Sequence, residues 1–193
     1  MRVSRAEAAQ NRERIVEVAA KLFRERGFEG IGVADLMKFA GLTHGGFYGH
    51  FASKEDLMAQ ACARAMEGSL DAMHQVAELG GENALSAVAS AYLSPAHRDG
   101  PGEGCALAAL GAEAARHGPP VREAFTQGVR SLVDMLARLL PGKFKRAKRE
   151  RAVAIFASMV GALVLARAVD DAELSEEVLH AVLASIPDAD SRP

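Results

Sequence analysis

The chain has no tryptophan, 5% aromatic residues and only two cysteines in 193 residues. Two cysteines in a chain this long exclude a disulfide scaffold. Strand-like alternation, internal repeats and low-complexity segments are also missing. Met1 to Arg14 is polar and mixed in charge, with no secretory h-region, so a cytoplasmic location is expected. The longest apolar run, Ala152 to Ala166, is interrupted only by Ser158. It is shorter than the ~20 residues of a membrane span, so no membrane partner is expected. There is no glycine-rich phosphate loop after a strand, no serine nucleophile elbow and no Cys/His pair at a recognised spacing. Catalysis therefore has no support, and neither an enzyme nor a cofactor is expected. His44 and His50 lie six apart without cysteine or carboxylate companions, so no metal site is expected.

What is present favours helix. Hydrophobic residues make up 49% and charged residues 25%, a globular composition dominated by the helix formers Ala and Leu. Net charge is −2 but unevenly placed. Residues 1–54 hold nine Lys/Arg and six Asp/Glu, giving +3; residues 55–193 hold the remaining 14 and 19, giving −5. A basic head on an acidic body points to an anionic partner for the head.

Ile15, Val18, Ala19, Leu22 and Phe23 repeat at helical spacing, predicting a first helix over 7–26 closed by Gly27. A short helix from Val33 to Phe39 follows, and Ala40-Gly41 ends it. Thr43 is placed to cap a third helix in which Phe47 and Phe51 share one face and His44, Gly45 and Tyr48 another. Ser53, with Asp56 three residues on, starts a long helix over 55–79. Two short helices around a tight turn form a helix-turn-helix pattern. Gly45 and Gly46 let backbone approach DNA. Thr43, His44, Tyr48 and His50 supply hydrogen-bonding groups for phosphates or base edges, and Lys54 opens the next helix where an anion is favoured.

The order Gly27-Phe28, Asp35-Leu36, Ala40-Gly41-Leu42-Thr43, Phe47-Tyr48, Phe51, Ser53-Lys54-Glu55 and Leu57 resembles the N-terminal signature of TetR/AcrR-type transcriptional regulators. The resemblance covers about residues 10–58. It implies an all-α homodimer of about nine helices per subunit, with a three-helix DNA-binding head (1–54) and an effector-binding and dimerisation domain (55–193). The implied partners are double-stranded DNA carrying a palindromic operator, a second copy of the chain, and a small-molecule or oxidant effector. Thr43 to Tyr48 correspond to the turn and recognition helix; Tyr48 and Lys54 correspond to phosphate contacts. Gly32 and Gly46 stand where the family commonly has threonine, so the operator is not transferable from a relative.

In the body, helices are expected over 83–93 (stopped by Pro95), 105–116, and from Pro119-Pro120 to Pro141-Gly142, with His97 to Gly104 as a loop. Lys143 to Arg151 is expected to be a solvated loop and first turn. Ala152 to Ala166 is apolar all round, which predicts burial on its own domain and on a partner. With the stripe Leu174, Val178, Leu179, Val182, Leu183 and Ile186 it resembles the family's dimer-forming pair. Phe156, Val160, Gly161, Val164, Val178 and Val182 are the interface candidates. Pro187 is expected to end the last helix, leaving Asp188 to Pro193 as a mobile tail.

Cys105 follows Gly-Pro-Gly-Glu-Gly and is expected at a helix start, where free N–H groups favour a thiolate. One reading is a redox or electrophile sensor, in line with a branch of the family that opens this helix with Gly-Cys; the other is a small packed residue. Cys62 is its candidate partner. Met58, Met66, Met73, Met135 and Met159 with Phe125 and Phe156 are candidates for an effector pocket or for ordinary core. Two rival functions have the same fold: a sequence-tolerant DNA-organising protein and a small-molecule-binding protein without operator specificity. Intact Tyr48 and Lys54 argue against the latter.

Overall fold

A computed structural model describes residues 4–186; the expected stop at Pro187 and the tail beyond lie outside it. Among the described residues there are nine α-helices, three short 3-10 segments and no strand. The α-helices are α1 (Arg5–Arg26), α2 (Val33–Phe39), α3 (Lys54–Gly80), α4 (Ala84–Tyr92), α5 (Pro95–Asp99), α6 (Ala106–Ala114), α7 (Pro119–Leu139), α8 (Lys145–Ala168) and α9 (Ala172–Ser185). The 3-10 segments are His44–Gly49, Gly81–Asn83 and Pro101–Glu103.

The head has the order of elements its sequence predicts, with changes at the start of α1 and in the recognition segment. Ser4 caps α1 by accepting from the Glu7 N–H at 3.2 Å, so that helix starts two residues earlier than its apolar spacing indicates. At the end of α2, Gly41 adopts φ +72°, the Leu42 N–H reaches the Met37 carbonyl at 2.8 Å, and the Gly41 N–H reaches Lys38 at 3.0 Å. This pair of bonds is a Schellman ending, and the left-handed residue in it favours glycine. The recognition segment His44–Gly49 is 3-10 rather than α, and the Thr43 side chain makes no capping bond. Three glycines in six residues remove the helix propensity an α turn needs.

The body departs from expectation in three places. Pro95 opens α5 instead of merely ending α4, because Ser94 caps it by accepting from the His97 N–H at 3.2 Å. The predicted loop over 97–104 therefore contains the end of α5 and a 3-10 turn. The basic run is mostly helix: α8 begins at Lys145, where Arg146 pairs with Glu150 at 2.9 Å and Arg149 pairs with Asp134 of α7. α8 has 24 residues and by length and composition alone would cross a membrane, so the shortness of its apolar run does not exclude a span. Its packing argues for a core helix: Ala152, Ile155, Phe156, Met159, Leu163 and Ala166 are buried against the subunit. Nor is it buried on all sides within the chain, since Val153, Val164 and Leu165 are exposed.

The packing centre of the body is α3 on α7. At their crossing Gly128 faces Met66 so closely that a Cβ on residue 128 would lie 2.7 Å from the Met66 Cβ. Helix propensity alone makes Gly→Ala in a helix favourable by about 1 kcal/mol. Here the added methyl meets a helix-borne Cβ that cannot swing away. Gly128→Ala is therefore expected to destabilise the fold by about 1–3 kcal/mol, read as a lower urea midpoint with an unchanged slope.

Candidate nucleic-acid interface and regulatory core

The recognition segment is held from behind by two aromatics. Phe47 and Phe51 are buried with ring centroids 5.5 Å apart, and the Phe51 N–H bonds the Phe47 carbonyl at 3.0 Å. Their anchoring turns the other edge outward. Thr43, His44 and Gly45 are exposed, Tyr48 is 71% exposed, and Gly46 is half-buried. In a 3-10 helix residues three apart align, so Gly45 lies under Tyr48 and leaves its ring uncrowded. His50 is half-buried beside Phe51, with centroids 6.3 Å apart, and ends the segment.

Lys54 is the first residue of α3, and Ser53 and Asp56 fix it there. The Asp56 N–H donates to Ser53 Oγ at 3.1 Å, while Asp56 Oδ2 accepts from the Ala52 N–H at 3.1 Å. The reciprocal bond thus closes on Ala52 rather than on Ser53 itself. Lys54 Nζ sits 3.6 Å from Glu29, a carboxylate 81% exposed. Such a solvated pair holds its lysine weakly, leaving it free to exchange Glu29 for a phosphate. Arg12 over the Phe51 ring at 5.1 Å and Arg26 over Phe39 at 5.2 Å add positive charge to the head. Nothing in the sequence spacing singles out those two stackings. Gly32 caps α2 without a side-chain bond, and a Cβ there meets nothing within 4 Å. The absent hydroxyl is thus not demanded by packing.

The effector candidates do not form one site. Cys105 is the N-cap of α6, as its spacing predicts, but it is 2% exposed and no N–H of α6 caps it through the side chain. Its own N–H donates to His97 Nε2 at 2.9 Å, and the other ring nitrogen lies 2.7 Å from the Tyr92 carbonyl. Burial lowers the His97 pKa, so the neutral ring donates from Nδ1 and accepts at Nε2. Cys105, Tyr92, His97 and Met73 border one cavity; Met66, Phe125 and Cys62 do not line it. Met66 is packing at the α3–α7 crossing, and Phe125 is a buried side chain of α7. Cys62 is buried in mid-α3 and burial pushes its thiol up to about 12, the reverse of an activated cysteine. Both cysteines are free. Arg24 and Arg167 flank this region, each with one buried, unpaired guanidinium nitrogen and each lowered in pKa by burial. Sequence reasoning missed Tyr92, His97 and both arginines; the Tyr-x₄-His spacing around Pro95 was the available signal.

Head and body share one hydrophobic core, with α1 packed on α3. Polar ties cross the same boundary: Glu113 of α6 accepts from the Phe28 N–H at 2.8 Å, Lys21 of α1 donates to Glu103 at 2.6 Å, and Arg64 of α3 donates to Glu17 of α1 at 2.5 Å. Within the body, Glu55 of α3 accepts from the Gly118 N–H at 2.8 Å. On the far side of the body, Val164 is 42% exposed and Val160, Gly161, Val178 and Val182 are half-buried. Phe156, expected at an interface, is 3% exposed within the subunit and belongs to its core.

An exposed, aromatic-backed recognition segment after a Schellman turn, on an all-helical body, defines a helix-turn-helix transcriptional regulator. Comparison with known proteins gives the same answer. Residues 15–61 match the family described as bacterial regulatory proteins, tetR family, and residues 81–182, more than half of the chain, match the tetracyclin repressor-like C-terminal domain. The chain belongs to the TetR family. It is 35% identical over 85 residues to the HTH-type transcriptional repressor BepR of Brucella suis, covering 44% of this chain and 41% of that one. It is 26% identical over 132 residues to the HTH-type transcriptional repressor NemR of Escherichia coli, covering 67% and 66%. The matches thus span less than half the length of BepR and about two thirds of NemR. Among solved structures, E. coli NemR in its reduced form superposes with a TM-score of 0.74 at 23% identity, covering 91% of this chain and 94% of that one. A TetR transcriptional regulator from Chloroflexus aurantiacus gives 0.75 at 25%, covering 94% and 96%.

If Lys54 meets a phosphate, Lys54→Ala weakens binding to all duplexes alike and lowers the slope of log K against log salt by about one. Measuring affinity across a salt series for two unrelated sequences checks this; a sequence-dependent loss would place Lys54 on a base instead.

Proposed function

We propose that the chain is a cytoplasmic, homodimeric repressor that binds a palindromic operator and leaves it when a small molecule or electrophile enters the body. The observation that carries this reading is the outward edge of residues 43–48, where Thr43, His44, Gly45 and Tyr48 are exposed and only the Tyr48 ring packs within the subunit, edge-on against Phe47. Thr43, His44 and Tyr48 are its base or phosphate contacts, Gly45 and Gly46 its points of close approach, and Lys54 its flanking phosphate anchor. A second copy packs on the exposed apolar side of α8 and on α9, through Val160, Gly161, Val164, Val178 and Val182. The dimer would set two recognition segments in successive major grooves, about 34–36 Å apart. Selection from a random DNA pool is expected to return an inverted repeat with half-sites one helical turn apart or a multiple of it. Equal affinity for random duplex at moderate salt would favour the DNA-organising alternative.

Release runs through α3, which starts at Lys54 and reaches the cavity beside Cys105 with Met73 and Val76. Cys105 is the candidate sensor. An α,β-unsaturated aldehyde would add there: the sulfur–carbon bond forms at the β-carbon, the thiol proton passes to the α-carbon, and no group leaves. A bulky adduct in a buried site must displace its neighbours, and α3 is one wall. Cys105→Ser is expected to keep operator affinity and abolish release by acrolein in a mobility-shift titration. Unchanged release would return Cys105 to the role of a packed residue.

A further inference from the structure

Between α3 and α4 lies a cavity of about 160 Å³. An apolar protein cavity of roughly 150 Å³ is large enough to take up benzene. Its mouth lies between the exposed Ala72 of α3 and Ala91 of α4; its floor is the buried Met73, Val88, Tyr92 and Cys105. Tyr92 is 4% exposed, and its hydroxyl has no well-aligned hydrogen-bond partner, with only the Cys105 thiol, a weak one, close to it. A buried hydroxyl left in this state costs stability, so an acceptor delivered to it is rewarded. Burial, together with nearby Cys105, drives its ionisation far above the usual phenol range, and the group remains a donor.

Nearby polar groups do not serve it. Both His97 nitrogens are engaged, with the Tyr92 carbonyl and the Cys105 N–H. Glu103 at the rim is bonded to Lys21. No Lys or Arg lines the cavity; Arg24 and Arg167 lie outside its wall, so a carboxylate ligand would reach no guanidinium directly and would face Glu103. A ligand hydroxyl would bring a donor of its own that must reach Glu103 at the rim or the Ser69 oxygen while still meeting Tyr92. A carbonyl oxygen accepts without that cost. We propose that this cavity binds a small, uncharged carbonyl compound of roughly benzene size, its oxygen accepting from the Tyr92 hydroxyl and its hydrocarbon part lying on Met73, Val76 and Val88. The link to operator release rests on the regulatory reading above; the binding does not.

Cyclohexanone, which fits the volume and does not alkylate thiols, is the probe. Calorimetric titration of the full-length protein is expected to show binding, with cyclohexanol about tenfold weaker and benzoate without measurable affinity. Tyr92→Phe should cost about tenfold for cyclohexanone while leaving cyclohexanol little changed, and its ligand-free melting temperature should equal or exceed that of the parent. Ala91→Phe, at the exposed mouth, should abolish binding without altering the circular dichroism. Ketone binding that survives either substitution, equal binding of the alcohol or of benzoate, or no binding of cyclohexanone overturns the proposal. Operator affinity in saturating cyclohexanone is a separate readout. Binding with no release leaves the cavity proposal standing and removes the effector role assigned to this cavity.

Discussion

Everything specific in this subunit hangs on the position of α3 against α7. α3 has 27 residues, about 40 Å at 1.5 Å per residue, and so spans head and body as one rod. Its first turn presents Lys54; its later turns wall the cavity through Met73 and Val76. Gly128 lets α7 approach until backbone nearly meets Met66, which fixes the middle of the rod. A rod clamped near its middle converts a small displacement at one end into an opposite one at the other. The chain thus needs no relay of side chains between its two ends; the helix itself is the connection.

The residues around Cys105 show how burial decides chemistry at neighbouring positions. Cys62 and Cys105 are both free and both buried, yet only Cys105 borders space that a molecule could occupy. Cys62 is enclosed in mid-helix and its thiol is pushed to about 12. His97 is made neutral and locked in one tautomer between two backbone groups, so it orients the start of α6 and acts as no base toward the thiol. Tyr92 stacks edge-on against His97 at 4.6 Å and carries the unmatched hydroxyl. A site that leaves one donor unsatisfied on an otherwise apolar floor is shaped for recognition more than for catalysis.

Much of this was legible in the sequence because local rules and tertiary packing agree. The 3.6-residue spacing of Ile15, Ala19, Leu22 and Phe23 marks α1, Ala40-Gly41 marks the turn, and Ser53 with Asp56 marks the start of α3. Where tertiary partners decide, the sequence was silent. Pro95 reads as a helix stop, but Ser94 one residue earlier makes it a helix start. Apolarity in α8 reads as one face on its own domain and another on a partner; within the subunit Val153, Val164 and Leu165 face outward, and of these the sequence singled out only Val164. Methionines at helical spacing cannot tell pocket from core: Met73 borders the cavity while Met66 fills the α3–α7 crossing. The 3-10 winding of residues 44–49 is a borderline case, since its three glycines are visible but α-helical spacing of Phe47 and Phe51 is visible too.

The polar ties between head and body add to the apolar packing of α1 on α3. Lys21–Glu103 is an exposed pair with side chains 51% and 75% accessible, so solvent weakens it. The Glu113 carboxylate accepts from the Phe28 N–H at a part-buried position, a bond worth about 1.5–3 kcal/mol while dry. Water can replace that carboxylate once the contact opens, so apolar packing and not this bond holds the head. Coupling free energies in allosteric proteins are typically about 1–3 kcal/mol. Matching an unsatisfied buried hydroxyl and filling an apolar cavity supply energy of that same order. A ligand in the body that acts on the head must therefore do so by moving α3 together with its apolar packing partners, and not by breaking polar ties alone.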